Sequence, residues 1–284
     1  MTPPGAHEIP RIVWRDGTAT VSPRVVPAEV PVAFTFNGTS HAVMMASPTD
    51  LEDFALGFAL SEGLIGGEGE IESLEILEAD LGEALGFEAR MWIGEAPMGR
   101  LLERRRRIAG PTGCGLCGIE SLDEAMRPVP AVEADLLVPP EAILAALGRL
   151  DEAQALGRAT RAVHAAALVS TAGELRLVRE DVGRHNALDK LIGATARAGL
   201  SGHDGFVLVT SRVSIEMVQK TAVLGAALLV AVSAPTALAV ATADKAGLTL
   251  VAVARRDGFE IFTHPRRIAG IAAAADAGAE TIPA

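Results

Sequence analysis

Residues 206–253 read FVLVTSRVSIEMVQKTAVLGAALLVAVSAPTALAVATADKAGLTLVAV, and their rhythm decides the fold. Residues 206–210, 228–232 and 249–253 are continuous apolar runs of strand length, the pattern of strands buried on both faces. Between them the spacing predicts helices over about 214–224 and 235–246. Strand and helix alternating at this interval predict a three-layer α/β arrangement on a largely parallel sheet with right-handed crossovers. Residues 221–243 carry no charge and are long enough to cross a bilayer. Ser233-Ala-Pro235-Thr236 interrupts them as a strand end followed by a helix start. A buried strand between two buried helical segments is therefore expected, and no membrane partner. In such sheets ligands bind beyond the carboxyl ends of the strands. By position alone, the candidates are Ser211-Arg212-Val213-Ser214, Ser233-Ala-Pro235-Thr236 and Ala254-Arg255-Arg256-Asp257.

Working outward, residues 163–170 and 175–179 flank Ala172-Gly173 and read as a hairpin, with a helix after it over 188–198. Pro139-Pro140-Glu141 opens a helix to about Gly148, which residues 151–157 continue. Pro128, Pro130, Pro139 and Pro140 punctuate the connection before it. A boundary near residue 139 divides the chain into a β-rich subdomain over 1–138 and an α/β domain over 139–284. In the first of these, Val32-Ala-Phe-Thr-Phe36 and His41-Ala-Val-Met-Met45 flank Asn37-Gly38, a strong hairpin signal. Ser47-Pro48-Thr49-Asp50 reads as a helix start, with Ser47 as N-cap and Pro48 at the first helical position. That helix runs to about Glu62 with Leu51, Phe54, Ala55, Phe58 and Ala59 on one apolar face, and Gly63 ends it. Residues 66–99 suggest strands with glycine turns and 100–107 a short helix. Gly110, Pro111, Gly113, Gly115 and Gly118 make 109–118 a loop.

The chain has 284 residues, enough for one large domain or two modest ones. Hydrophobic residues make up 49% and charged residues 21%, as in ordinary globular proteins, but aromatics are only 4% and tyrosine is absent. Ala, Val, Leu and Gly must do the packing. Lys and Arg number 25 against 36 Asp and Glu, a net charge of −11, which excludes general polyanion binding and so nucleic acid as a partner. Arg104-Arg105-Arg106-Arg107 is the one dense basic run. The start of the chain lacks the basic and apolar regions of a secretory signal. Two cysteines do not make a disulfide framework, and both features favour a reducing cytoplasm, where a cysteine pair is more often catalytic or metal-binding than structural.

Cys114-Gly-Leu-Cys117 is the first candidate for chemistry. The thiolate is the attacking form, and nearby cations favour it. Flanking glycines leave both thiols unshielded, which suits a sulfur that must meet a donor and an acceptor. The second thiol could release bound sulfur as a disulfide forms, or guard the first. A zinc knuckle needs about four ligands; there is no second cysteine pair, and the next histidine downstream is His164. No metal is expected. Zinc deaminase chemistry needs His-x-Glu, which does not occur in the chain. Glu180-Asp181-Val-Gly-Arg184-His185-Asn186 is the densest polar cluster of the C-terminal half. Asn and Asp can read a guanine edge or hold a ribose, Arg can grip phosphate and His can shuttle protons. The plainer reading is a helix cap with surface ion pairs. His164 reads as a satisfied half-buried residue, and Glu216 with Lys220, spaced i, i+4, as a helix-surface pair.

Gly113-Cys114-Gly-Leu-Cys117-Gly118 resembles the sulfur-carrier loop of the FdhD/NarQ family of formate dehydrogenase accessory sulfurtransferases. The likeness extends to Leu56-Gly57-Phe58-Ala59-Leu60-Ser61-Glu62-Gly63-Leu64-Ile65. It includes the stretch from Glu180 through Asn186-Ala187-Leu188-Asp189-Lys190. It also includes Ser211-Arg212-Val213-Ser214-Ile215-Glu216-Met217-Val218-Gln219-Lys220 and Ser233-Ala234-Pro235-Thr236. Together these motifs span most of residues 30–265 in order. Two departures from the family pattern are Thr160-Arg161-Ala162 ahead of His164, and the direct adjacency of Ser211 and Arg212.

The resemblance implies a two-part protein whose C-terminal domain is similar to the cytidine deaminase fold without its chemistry. It implies a persulfide on the loop, charged by a cysteine desulfurase. It further implies delivery of the sulfur to the molybdenum cofactor in its bis-molybdopterin guanine dinucleotide form, before insertion into formate dehydrogenase. The family is typically dimeric, so a homodimer is expected. Cys114 would carry the persulfide and Cys117 assist. The guanine nucleotide moieties of the cofactor would meet residues among Asp181, Arg184, His185, Asn186, Ser211, Arg212 and Ser214. Val253, Ala254, Arg255, Arg256, Asp257 and Gly258 match the stretch that family members use near the cofactor. The rival readings are a dithiol redox enzyme and a non-catalytic chaperone of the cofactor or the apoenzyme.

Overall fold

Two tight turns in which both central residues take positive φ set up the N-terminal half. Asp16 and Gly17, at 51° and 77°, join β1 (Ala6–Arg15) to β2 (Thr18–Pro27) in a two-stranded ribbon. Asn37 and Gly38, at 48° and 75°, join β3 (Val30–Phe36) to β4 (Thr39–Ala46). Such turns match the twist of the strands they connect, and Asx-Gly is the pair that adopts them most readily. A computed structural model describes residues 2–82, 85–108 and 128–271. Cys114, Cys117 and the glycine-rich loop read at 109–120 lie outside the described residues.

β5 (Ile71–Asp80) and β6 (Leu85–Ile93) complete a four-stranded sheet in the order β4-β3-β6-β5, in which only β3 and β6 are parallel. α1 (Leu51–Ser61) lies on one face of it. The contact is aromatic: Phe34 stacks on Phe58 at 4.3 Å and meets Phe54 edge-on at 5.0 Å. Each such pair contributes ~0.5–1.5 kcal/mol beyond its buried area. α1 does not begin where the sequence places it. Ser47 and Pro48 precede the helix, and Asp50, at φ 52°, is the cap residue without a side-chain cap bond. Ser47 is fully buried and its polar groups serve the C-terminal half, as described below. α2 (Glu95–Ile108) includes the short helix expected over 100–107.

Beyond the loop, residues 128–138 lie against the second core. Val132, Leu136 and Val138 are buried in it, and Val138 bridges to Ile268. The buried Arg267 guanidinium donates to the carbonyls of Val132, Ala134 and Gly247 and to the Thr249 hydroxyl. Then follow α3 (Pro140–Ala153), α4 (Ala155–Thr160), β7 (His164–Ser170), β8 (Leu175–Asp181) and α5 (Arg184–Arg197). β9 (Gly205–Val209), α6 (Ile215–Val223), β10 (Leu228–Ala231), α7 (Ala237–Lys245), β11 (Thr249–Arg255) and β12 (Gly258–Thr263) complete the fold. The chain is a mixed α/β protein with seven α-helices among the described residues.

The six strands run β12-β11-β10-β9-β7-β8. Every residue of β9 and β10 is buried, which requires cover on both sheet faces. The sheet is less parallel than its apolar runs suggest. Only β9, β10 and β11 are parallel; β7, β8 and β12 are antiparallel to their neighbours. The reason is loop length, because parallel neighbours need a crossover of a dozen residues or so. The turns between β7 and β8 and between β11 and β12 are too short for that. The uncharged stretch 221–243 divides among the end of α6, β10 and the start of α7. Among the described residues no helix is long and apolar enough to cross a membrane.

Candidate functional site

The ends of five strands meet at one edge of the six-stranded sheet. β9, β10 and β11 end there, and so does β8, while β7 begins there, since His164 pairs with Asp181 and Ala166 with Val209. Backbone bonds hold the exits together. Thr210 N–H donates to Ala165 O and Val213 N–H to Ala234 O; Thr236 N–H donates to Val213 O and Val253 N–H to Ser233 O. The N-termini of α5, α6 and α7 rise from this edge, each presenting the positive end of a helix dipole. The structure thus brings the expected stretches at 181–186, 211–214 and 253–258 to one place.

Within that edge the residues divide into two sets. Asp181 and Asn186 turn inward. Asp181 is fully buried, and its carboxylate accepts from Lys190 Nζ at 2.6 Å, Ser47 N–H at 2.9 Å, Gly183 N–H at 2.8 Å and Asn186 Nδ2 at 2.9 Å. Asn186 Nδ2 also donates to Met45 O at 2.8 Å. Lys190 gives a further bond to Ser47 O, and Ser47 Oγ accepts from Val182 N–H. Burial pushes the Lys190 ammonium below the ordinary lysine value, with Asp181 opposing. This knot ties β4 and the start of α1 to the C-terminal sheet. The plainer reading of cluster 180–186 as a surface arrangement is therefore corrected: its acids are spent internally. Glu180 likewise caps α4, accepting from the N–H groups of Leu156 and Gly157. Ser211 and Ala254 are also buried.

The outward set is mainly cationic. Arg212, Arg255 and Arg256 are exposed, along with Asp257, while Arg184, His185, Ser214, Val253 and Gly258 are half-buried. Arg255 is steadied on the carbonyls of Val232 and Ala254, and Arg256 pairs with Asp151 at 3.0 Å. His185 Nε2 lies 2.8 Å from Glu216 and 3.5 Å from Ser214 Oγ. That contact holds the Glu216 carboxyl below its usual range. Glu216 was read as the surface partner of Lys220. Lys220 is in fact buried on the seam with α1, and Glu216 belongs to the strand-end site. Its place in the first turn after a strand exit was the signal available in the sequence.

Two features set this edge apart. Arg184 Nε is buried with no hydrogen-bond partner, whereas the buried side-chain polar atoms of the described residues are paired nearly throughout. Val253 takes φ 52° at a bulge between Ala252 and Arg255. A β-branched residue in the left-handed region is strained by about 1–3 kcal/mol, and such strain concentrates at binding sites. Together they place an unpartnered guanidinium nitrogen, a strained backbone position and the exposed Arg212, Arg255 and Arg256 at the strand ends of an α/β protein.

The chain belongs to the FdhD/NarQ family, whose model matches residues 27–269. It is 52% identical over 263 residues to the sulfur carrier protein FdhD of Agrobacterium fabrum, covering 92% of this chain and 96% of that one. It is 50% identical over 255 residues to the sulfur carrier protein FdhD of Cupriavidus necator, covering 90% and 87%. A crystal structure described as a formate dehydrogenase accessory protein from Desulfotalea psychrophila superposes with a TM-score of 0.72 at 26% identity, over 93% of this chain and all of that one.

A cavity of about 920 Å³ opens at the other end of the sheet, before β9 and β10. Ser61, Glu62, Thr195 and His203 line it, as do Arg100 of α2 and Pro128, where the described chain resumes after the cysteines.

The environment of His164, at the start of β7, is testable by titration. Burial pushes His164 below the ordinary histidine value; Arg184 and His185 push the same way and Asp181 opposes. Between the depressed and the ordinary value the unfolded chain binds the extra proton, so stability falls as pH drops through that window. NMR titration of the histidines is expected to find His164 low, and His164→Gln to flatten the fall of Tm with acid there. An anion bound near Arg184 should raise the His164 value. A His164 that titrates at or above the ordinary value would contradict its burial at the start of β7.

Proposed function

We propose that this protein carries sulfane sulfur on Cys114 as a persulfide and delivers it to the molybdenum cofactor for formate dehydrogenase. The donor is a cysteine desulfurase. The Cys114 thiolate attacks the outer sulfur of the donor's persulfide, the donor's S–S bond breaks, and a donor thiolate leaves. For release, the Cys117 thiolate attacks Cys114 at its inner sulfur. A Cys114–Cys117 disulfide forms and the outer sulfur departs as hydrosulfide, two electrons richer. Two equivalents of a cytoplasmic thiol then reduce that disulfide, leaving as their own disulfide and restoring the dithiol.

The acceptor, bis-molybdopterin guanine dinucleotide, is a substrate of this reaction. The observation that supports its place is the unpartnered Arg184 Nε within a crevice where three helix N-termini converge. Arg184, Arg212 and Arg255 would grip phosphates, and backbone N–H groups at the helix starts would complete the anion site. Asp181 and Asn186 would act by holding the turn that presents Arg184 and His185, rather than by touching the ligand. The working protein is a cytoplasmic homodimer.

The test is to incubate the purified protein with a cysteine desulfurase and cysteine, then read the loop peptide by mass spectrometry without reductant. A gain of one sulfur atom on Cys114, removed by dithiothreitol and absent in Cys114→Ser, is expected. No gain in a protein that still binds guanine nucleotide would favour the chaperone reading instead.

A further inference from the structure

We infer that the β1–β2 ribbon is an exchange arm whose apolar face lies on the open face of the N-terminal sheet of a second copy of this chain. The period-two pattern carries the case. Pro10, Ile12 and Trp14 of β1 face the same side as Ala19, Val21 and Pro23 of β2, with Pro10 opposite Pro23, Ile12 opposite Val21 and Trp14 opposite Ala19. All six are exposed; Ile12, Trp14 and Val21 are 74%, 71% and 77% accessible. The other side is the more polar, with Arg11, Arg15, Thr18, Thr20, Ser22 and Arg24 beside Ile9 and Val13. The ribbon is thus amphipathic, yet its own chain leaves the apolar side bare. A lone two-stranded ribbon of ten pairs is marginal in water, and a contiguous apolar face on it marks an interaction surface. Only its base is anchored, by Arg24 donating to Thr160 O and by α4 against β2.

A second copy fits for two reasons. The first is area. A face of ten paired residues measures roughly 33 Å by 10 Å. One arm and the surface under it therefore bury ~650 Å², too little for a stable complex. Two arms exchanged about a two-fold axis bury ~1,300 Å², within the range of stable interfaces. The second is complementarity. Among the described residues, the four-stranded sheet has no helix on its far face, where Val43, Met45 and Trp92 are 60%, 49% and 45% accessible. On that face Glu75 of the edge strand β5 lies opposite Arg90 of β6.

The inference gives a surface to the homodimer proposed above and rests on that reading. Sedimentation equilibrium of the full chain tests both. The native chain should be a dimer. Ile12→Glu with Val21→Glu should weaken self-association by about 100-fold or more, since each arm would carry two uncompensated carboxylates into an apolar contact. Tm of the resulting monomer should stay within a few degrees, because both sites are exposed. Val43→Glu with Met45→Glu should weaken association similarly. A photo-crosslinker at position 14, in mixed light and heavy isotope-labelled protein, should join one copy's arm to the other's β4 or β6. A dimer indifferent to both pairs of changes would overturn the arm while leaving the homodimer intact. Crosslinks from position 14 to formate dehydrogenase or to lipid vesicles alone would likewise overturn the arm, and a native chain that is monomeric throughout would overturn both.

Discussion

Gly193→Ala should lower the unfolding free energy by about 3 kcal/mol or more, well above an ordinary surface change. α1 and α5 run antiparallel with their backbones in contact. A Cβ on Gly193 would lie 1.9 Å from Asp53 O, and one on Gly57 would lie 1.7 Å from Asp189 O. Ordinary contact begins near 3.4 Å, so the helices would have to part by about 1.5 Å. Parting them would also stretch the polar bonds that flank the crossing. Asp53 is buried beneath Arg179 at 2.6 Å and Arg197 at 2.8 Å, while Ser61 Oγ donates to Asp189 at 2.6 Å. Gly148→Ala in α3, with nothing within 4 Å of the added carbon, is the control; it should stabilise by ~0.5–1 kcal/mol. Urea denaturation of the two variants, with unchanged m-values, measures both. A Gly193→Ala protein as stable as the native chain would mean that the helices do not cross this closely.

That crossing shows what the sequence could and could not disclose. α1 presents Asp53, Gly57 and Ser61 at i, i+4 spacing, and α5 answers with Asp189, Gly193 and Arg197. Each stripe alone is an unremarkable run of small and polar residues; only the pairing gives it meaning, and pairing is a tertiary fact. Local signals were legible. Asn37-Gly38 places its hairpin to the residue, the apolar runs locate β9, β10 and β11, and Gly63 closes α1 as expected. Asp16-Gly17 carries the same turn chemistry as Asn37-Gly38 and could have been read as the first hairpin. Ser47-Pro48 misled because a good capping residue was needed elsewhere: its N–H and hydroxyl bind Asp181 and Val182. The strand-end rule picked out stretches that the fold brings to one end of the sheet. It could not say that Asp181 and Asn186 would turn inward, because that depends on Met45, Ser47 and Lys190 arriving from distant segments.

Asp181–Lys190 and Asp189–Lys220 are both buried lysine–carboxylate pairs of the C-terminal half that reach the N-terminal half through Ser47 and through Ser61 and Glu62, and they should respond differently to replacement. Lys220 Nζ sits 2.8 Å and 3.0 Å from the two Asp189 oxygens and 3.0 Å from Glu62. Burial alone would push it down, but Asp189 and Glu62 hold it above the ordinary lysine value. Lys220→Met strands a fully buried carboxylate and should cost ~3–5 kcal/mol. Adding Asp189→Leu should recover most of that loss: Ser61 still has Phe58 O as an acceptor, at 3.3 Å, and Glu62 can turn toward water. The other pair cannot be rescued this way. Removing Asp181 orphans the N–H groups of Ser47 and Gly183 and one donor of Asn186, each worth ~1–3 kcal/mol when left buried and unmade. Asp181→Leu with Lys190→Met should therefore remain at least ~3 kcal/mol less stable than the native chain, although both partners of the ion pair are gone. Urea midpoints of the four proteins decide the matter. If the Asp181/Lys190 double variant matched the native chain, Asp181 would not be the acceptor on which β4 and the turn before α5 depend. The inward-facing half of the strand-end site would then need another explanation.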